Sequence, residues 1–354
     1  MVEPNLNASI RVSDVPDCYF CEHVGSPLYL NLADRHLGVP GTWNLLSCPR
    51  CQLVWLDPWP DPQELSKIYV DGYYTHATEG PEPVPPSGVV HKLKALLTAA
   101  LVSAYTGQPR RRSPFGLAGA ALIKFGLVEE AIAAEFMWLR RRPAGRLLDV
   151  GCGAGEFLAR MQQIGWESQG VEPDPDAAAH ARDRFGLNVF SGTLVDAGFA
   201  GDSFDAITLS HVIEHVADPV GLVTECRRIL KPGGRLVVVT PNTKSLGRRV
   251  FGGAWYPWET PRHLMIFAPH HLRLIAARAG LSIEELRTSS RAARGMWHLS
   301  RIIKRNGSLP ADRPPVLAPR LRIEGLVFWL VEYLLAKRRP VGEEVVLVAV
   351  KPAP

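Results

Sequence analysis

Arg146-Leu-Leu-Asp149-Val-Gly151-Cys-Gly153-Ala-Gly155-Glu156-Phe-Leu is the stretch that decides the fold. An apolar run closing on a carboxylate, then three alternating glycines, then helix formers predicts strand, tight turn and helix, the opening of a Rossmann-like αβ unit. Side chains at the glycine positions would keep a ligand off the backbone. The spacing selects the ligand. A dinucleotide fingerprint would put its third glycine at position 156, where a pyrophosphate needs a bare helix N-terminus. This chain has Glu156 there, and its charge would repel the phosphates. An acidic residue is expected about twenty positions on, at the end of the next strand, to accept ribose hydroxyls. Glu172, in Gln169-Gly-Val-Glu172-Pro-Asp174, meets that requirement.

The glycine pattern after Asp149 resembles motif I of the class I S-adenosylmethionine-dependent methyltransferases, whose cofactor is a sulfonium without phosphates. The resemblance continues through Gly201-Asp-Ser-Phe204-Asp205-Ala-Ile-Thr-Leu-Ser210-His211, matching the family's fourth strand. It closes with Leu230-Lys-Pro-Gly233-Gly234-Arg-Leu-Val-Val-Val-Thr240-Pro241-Asn242, a turn and fifth strand. It implies a Rossmann-like, seven-stranded, mostly parallel α/β sheet with helices on both faces. It also implies that Asp149, Gly151, Gly153, Gly155, Glu172, Ser210 and His211 surround S-adenosylmethionine. Ser282-Ile-Glu-Glu-Leu and Glu344 to Val350 would be the sixth and seventh strands. The carboxylate that usually follows the third strand is missing from Ser191-Gly-Thr193-Leu194-Val-Asp196, so no adenine contact is assigned.

A chain of 354 residues accommodates one large core with an appendage, or two domains. Apolar residues at 46% and charged ones at 21% fit a globular enzyme. The net charge of +5 is modest and spread out, so it only weakly favours an anionic partner such as a nucleotide-sugar, phospholipid or RNA. With no segment resembling a nucleic-acid arm, nucleic acid is not the expected partner. The polar start Met1-Val-Glu-Pro-Asn-Leu-Asn has no apolar signal core. Together with the cysteine usage it predicts a reducing, cytoplasmic location.

Four of the six cysteines form two C-x-x-C pairs, Cys18/Cys21 and Cys48/Cys51. Each pair can offer two thiolates from one turn, and the strand-like runs between them predict a tetrahedral four-cysteine zinc ribbon. Zinc saturated by four thiolates has no open position, so its role is structural. A segment of some fifty residues has little core of its own, and the metal is expected to stabilise it. His23 and His36 read as surface histidines rather than ligands. With Leu53-Val-Trp-Leu56-Asp57-Pro58, Glu64 to Tyr69 and Tyr73-Tyr74, the ribbon resembles the N-terminal module of methyltransferases of sugar and polysaccharide biosynthesis. That resemblance makes Tyr73 and Tyr74 candidates for the substrate pocket.

The expected organisation is a ribbon module and lead-in at 1–80, a linker and helical segment at 81–143, and a methyltransferase domain at 144–354 with a helical insertion at about 291–340. Pro81 to Pro86 is the linker. Helical spacing follows from Leu93 to Tyr105 and from Leu117 to Leu139, flanked by Arg110 to Arg112 and Arg140 to Arg142. Basic clusters beside apolar faces suit peripheral contact with the inner face of a membrane; packing against the catalytic domain is the preferred expectation. The insertion carries Leu326 to Val331, interrupted by Glu324 and Glu332, which does not read as a membrane span.

Ser210-His211-Val-Ile-Glu214-His215 begins at a strand end. Its H-x-x-E-H string is read as lining the cofactor's methionine end, not as a metal site, with His215 a reserve general base. Trp255-Tyr256-Pro-Trp258-Glu259-Thr-Pro261-Arg262-His263 is placed by analogy over the mouth of the site, where rings beside ionisable groups suit a sugar. Methyl transfer is an in-line displacement at an activated carbon, so the protein must align the nucleophile and remove its proton. His263 is the expected base, Glu259 its orienting partner, and Tyr256 and Arg262 substrate clamps.

The expected function is methyl transfer from S-adenosylmethionine to an oxygen or carbon of a glycan, nucleotide-sugar or related small molecule. An rRNA methyltransferase and a non-catalytic cofactor- or partner-binding protein are the alternatives, and the oligomeric state is open.

Overall fold

The computed structural model describes residues 10–69, 100–102, 105, 126–139, 145–310 and 319–353. The linker Pro81 to Pro86, Tyr73, Tyr74 and both triple-arginine clusters lie outside the described residues. In chain order the strands are β1 (Val12–Ser13), β2 (Ser26–Leu32), β3 (Trp43–Ser47), β4 (Val54–Asp57), β5 (Trp59–Pro60), β6 (Arg146–Val150) and β7 (Glu167–Glu172). They continue as β8 (Asn188–Ser191), β9 (Phe204–Ser210), β10 (Leu230–Pro241), β11 (Met265–Ile266), β12 (Ser282–Ser289) and β13 (Glu344–Val350).

A seven-stranded sheet runs in the order β12-β13-β10-β9-β6-β7-β8, with the last strand of the chain between β12 and β10. The pairings of β6 with β7 and β9, and of β7 with β8, are parallel. Strand order reverses between β6 and β9, so the carboxyl ends of those strands flank the position where open α/β sheets bind ligands.

The chain divides into two compact units. One comprises Tyr74–Ser210, Glu225–Val237 and Val348–Pro354 and contains the glycine turn. Its core is the continuous apolar run expected of parallel strands, with Leu147, Leu148, Val171, Ile207 and Leu209 fully buried. The helix Glu156–Gln163 begins directly after Gly155 and buries Leu158 and Met161. The helix Pro175–Phe185 has Asp174 as its cap, accepting the N–H groups of Asp176 and Ala177, and it stops at left-handed Gly186.

The other unit comprises Met1–Tyr73, His211–Thr224 and Val238–Leu347. It holds a four-stranded sheet in the order β11-β4-β3-β2. The strands between the cysteine pairs therefore do not stand alone. β11 pairs antiparallel with β4, Met265 opposite Trp55. One buried cluster joins Leu32, Trp43, Leu45, Val54 and Leu56 to Phe251, Trp255, Trp258, Leu264, Ile266 and Trp297. The ribbon's apolar residues thus share a core with residues about two hundred positions downstream.

Candidate functional site

Asp149 reaches the glycine turn at the end of β6. Gly151, Gly153 and Gly155 have φ of 71°, 53° and 89°, the left-handed region. A Cβ on Gly155 would lie 2.6 Å from Leu187 Cδ1 and 2.8 Å from Ala181 Cβ, so the position has no room for a side chain. Glu172 closes β7; its Oε2 accepts the Gly153 N–H at 2.8 Å and its Oε1 the Asp174 N–H at 3.0 Å. The carboxylate is thus held against the turn. Asp149 is buried and accepts the Thr208 hydroxyl at 2.6 Å. Burial pushes its carboxyl up to about 7, with the Thr208 bond offsetting part of the rise and the charge of Glu172 adding to it. Thr208 was not anticipated, although a hydroxyl inside the apolar run Ala206 to Leu209, opposite Asp149 in register, was a visible signal. Ser210 is half-buried at the end of β9. Thr193 donates its hydroxyl to Asp196 at 2.6 Å.

In the other unit the four cysteines form two matching knuckles. Cys18 N–H donates to His23 O and Glu22 N–H to Cys18 O, and Cys48 N–H to Leu53 O and Gln52 N–H to Cys48 O. Glu22 and Gln52, each just after a second cysteine, are left-handed. The four Sγ atoms lie within 4.8 Å of one another and no disulfide joins them. Burial opposes ionisation throughout the cluster and raises Cys18 and Cys51, while at Cys48 the N–H groups of Cys51 and Arg50 and the neighbouring thiols outweigh it and bring the thiol down to about 7. Thiols turned toward one point with backbone donors behind them fit a tetrahedral metal ion. His271 braces the second knuckle: Nδ1 accepts the Ala268 N–H, so Nε2 is the donor, 3.0 Å from Cys51 O.

The same unit gathers a second group. His211 lies between Glu214 and Glu344, its Nδ1 3.2 Å from Glu214 Oε1 and its Nε2 3.0 Å from Glu344 Oε1. Burial disfavours the imidazolium, but the two carboxylates outweigh it and raise His211 to about 10. Burial likewise works against the Glu214 carboxylate, and His211 more than offsets it, bringing Glu214 down to about 2. His211 is therefore a charged bridge. His215 is half-buried; its Nδ1 lies 3.0 Å from Arg262 O and 3.0 Å from the Tyr69 hydroxyl. Its ring meets that of His263 edge to face at 4.6 Å.

His263 is only 4% exposed, with Nδ1 2.7 Å from Pro257 O and Nε2 3.6 Å from Glu259 Oε2. Burial takes it down to about 4, so it is neutral. Burial works to raise the Glu259 carboxyl, but in the acid range where it titrates the protonated imidazoles of His263 and His36, with the guanidinium of Arg262, outweigh burial and lower it to about 2. Arg262 is enclosed too, bonded to Asp34, Glu259 and Ile68 O. Tyr256 stacks on His36 at 4.4 Å and is buried.

These positions correct several expectations. Trp255, Tyr256 and Trp258 are core rather than a covering loop, because β11 draws the segment onto β4. Arg262 is a structural cation, its guanidinium committed to buried carboxylates instead of a substrate. His36 stacks on Tyr256 with its side chain only 8% exposed, so it is not a surface histidine; His23 is exposed. Of the two imidazoles considered as bases, His215 is the more accessible. Tyr69, Asp34 and Glu344 were missed, and nothing local in the sequence marks them.

The "Methyltransferase domain" family model matches residues 126–286. The ubiquinone biosynthesis O-methyltransferase of Cereibacter sphaeroides is 34% identical over 169 residues, covering 44% of this chain and 68% of the relative. The enzyme of the same name from Xanthomonas axonopodis pv. citri is 32% identical over 171 residues, covering 44% and 70%. Among solved structures, the [4+2]-cyclase SpnF aligns with a TM-score of 0.44 at 22% identity over 75% of this chain and 96% of that one, and no reaction is carried over from it. The glycine turn, the acidic end of β7 and the relatives agree: the chain belongs to the class I S-adenosylmethionine-dependent methyltransferases.

Proposed function

We propose that the chain is an O-methyltransferase in which His215 removes the acceptor's hydroxyl proton. The orientation of His215 carries this reading. A carbonyl can only accept, so the contact with Arg262 O favours the tautomer with its proton on Nδ1, the Tyr69 hydroxyl at the same 3.0 Å then accepting from that N–H, and a lone pair on Nε2 supports the reading. His215 follows Ser210, at the carboxyl end of β9, by five residues. In the reaction the acceptor oxygen bonds to the methyl carbon as the carbon–sulfur bond breaks. The electron pair returns to sulfur, giving neutral S-adenosylhomocysteine, and the proton passes to Nε2.

The relatives are named as O-methyltransferases of ubiquinone biosynthesis, which supports oxygen over carbon; since a quinone ring in its reduced form carries phenolic hydroxyls, it also supports a phenol over a glycan. A phenol, with a pKa near ~10, gives up its proton to a general base far more readily than a sugar hydroxyl, which is much less acidic. Of the two features that point to a glycan or nucleotide-sugar, the rings at 255–258 are buried, which leaves the resemblance of the ribbon module. As part of the same reading, Cys18, Cys21, Cys48 and Cys51 hold a structural zinc ion. Along the sequence 1–80 is the ribbon with its lead-in, 81–143 linker and helical segment, and 144–354 the methyltransferase domain with its insertion at about 291–340, the ribbon sharing its core with the last of these. Catechols and nucleotide-sugars assayed side by side test the acceptor, and turnover of nucleotide-sugars alone would overturn the phenolic reading. His215→Ala is expected to lower kcat by about a hundredfold or more with S-adenosylhomocysteine affinity unchanged. A loss under about threefold would overturn the base assignment.

A second reading has one observation in its favour. Ligand-capable atoms of Glu214, His215 and His263 lie within 4.8 Å of one another. Glu214 Oε1 is buried, and its contact with His211 at 3.2 Å is an ion pair, not a hydrogen bond. A divalent cation there would acidify a bound hydroxyl. Activity lost on chelation and restored by magnesium, which thiolates do not bind, would favour that reading. Activity retained at the second site's expense of metal would favour the base.

A further inference from the structure

We propose that the helix Pro319–Ala336 seats the protein on an anionic phospholipid surface; the inference does not rest on the acceptor or base assigned above. Ile323, Leu326, Val327, Leu330, Val331 and Leu334 are each 44–62% exposed. Their spacing of three and four places them in one stripe along the helix. The opposite face is anchored. Gly325 packs so closely on the helix Ala293–Asn306 that a Cβ there would lie 2.5 Å from His298 Nε2. His298 Nε2 is 2.9 Å from Leu321 O, and buried Glu332 accepts the Glu343 N–H at 2.9 Å. The stripe therefore belongs to a helix fixed in place.

Charge identifies the occupant. Between Arg291 and Pro340 the sequence has eleven Lys and Arg against three Asp and Glu, an excess larger than the +5 of the whole chain. Arg320, its side chain 89% exposed and ion-paired with Glu324 at 2.9 Å on the surface, stands at one end of the helix, and exposed Lys337, Arg338 and Arg339 follow the other, Lys337 lying over the Tyr333 ring at 4.6 Å. At 3.6 residues per turn, Arg320 and Lys337 fall on the side of the stripe. Their long stems can lie along apolar surface while the charged ends reach lipid phosphates. A second copy of this chain would fit worse: parallel or antiparallel, pairing two such helices sets basic ends against basic ends. No helix among the described residues is long and apolar enough to cross a membrane. The helix would lie in the plane of the interface, gripped by apolar burial and by basic residues each contributing about fivefold in partition.

The test uses the full chain and sedimentation with vesicles. Phosphatidylglycerol and phosphatidylcholine in equal parts should bind the protein at least about tenfold more tightly than phosphatidylcholine alone, and high salt should weaken the binding. The double variant Leu326→Glu, Leu330→Glu and the charge reversal Lys337→Glu, Arg338→Glu, Arg339→Glu should each lose about tenfold or more, while S-adenosylhomocysteine affinity, reporting an intact fold, stays at wild type. Equal binding to both vesicle types, no binding, or wild-type binding by the charge-reversed variant would overturn the proposal. A dimer abolished by Leu330→Glu, with vesicles ignored, would overturn it in favour of a second copy.

Discussion

The guanidinium of Arg262 and the carboxylate of Asp34, 228 residues apart, form a fully buried two-point ion pair, with Nη2 2.7 Å from Oδ1 and Nη1 2.9 Å from Oδ2. Asp34 also accepts the N–H groups of His36, Leu37 and Val39. The pair therefore sets the loop after β2 and the loop before β11 against each other. Burial works to raise the Asp34 carboxyl, but the hydrogen bonds and charge of Arg262 outweigh it and hold it below the usual carboxylate range.

Removing one partner leaves a buried charge uncompensated, so Asp34→Ala or Arg262→Ala should each cost about 3–5 kcal/mol of stability in urea titration. The double change Asp34→Leu, Arg262→Met should recover most of that loss. Because the folded pKa of Asp34 is depressed, its contribution is present above the unfolded value near ~3.9 and is lost as pH falls through the folded value. Wild-type stability in Arg262→Ala with a raised KM would instead return Arg262 to the substrate.

Asp149 offers a probe of the cofactor's charge. S-adenosylmethionine is positive at sulfur, whereas S-adenosylhomocysteine is neutral there. With its folded pKa at about 7, Asp149 is largely protonated at pH 6 and ionised at pH 8. If it faces the cofactor, affinity for S-adenosylmethionine relative to S-adenosylhomocysteine should rise across that interval by up to about tenfold per pH unit below 7. Asp149→Asn should make the ratio flat. A wild-type ratio independent of pH in calorimetry would remove Asp149 from the charge recognition.

What could be read from the sequence and what could not differ in a physical way. Asp149, the glycine turn and Glu172 belong to one strand-turn-helix-strand passage, so chain spacing alone brings them together. Asp34 and Arg262 meet only because β11 joins the edge of β4, and a pairing across most of the chain leaves no periodic trace. The segment from Trp255 to Trp258 failed for a related reason: an aromatic loop has the same composition whether it covers a ligand or fills a core. His215 was recognised only as a reserve base because its Tyr69 partner comes from the far end of the sequence.

Glu332 and Glu343 are buried together, with Glu343 Oε2 accepting the Trp255 indole N–H at 2.8 Å. Burial, and for Glu332 the neighbouring Glu343, push both carboxyls above the usual range. Raised folded values mean that the folded state holds protons the unfolded chain has released. Stability is fully present below the unfolded value near ~4.3 and declines as pH rises through neutrality. Glu332→Gln, which keeps an acceptor for the Glu343 N–H, should flatten that decline in thermal melts between pH 6 and 9. An unchanged slope would mean that the pair is not the source.

The cysteine knuckles lead to a prediction that differs from that for an isolated ribbon. One zinc per chain should be found by elemental analysis, and Cys51→Ser should lose it. A free-standing ribbon would then unfold. Here Trp43, Leu45, Val54 and Leu56 share a core with Trp255, Leu264 and Ile266, and His271 holds the Cys51 carbonyl from the helix Pro269–Arg278. Those contacts do not require the ion. Metal loss should therefore lower Tm and open Cys18 and Cys48 to thiol reagents, while far-ultraviolet circular dichroism at 25 °C stays close to wild type. Collapse of the spectrum on chelation would show that the shared core is too weak to hold β2, β3 and β4 in place.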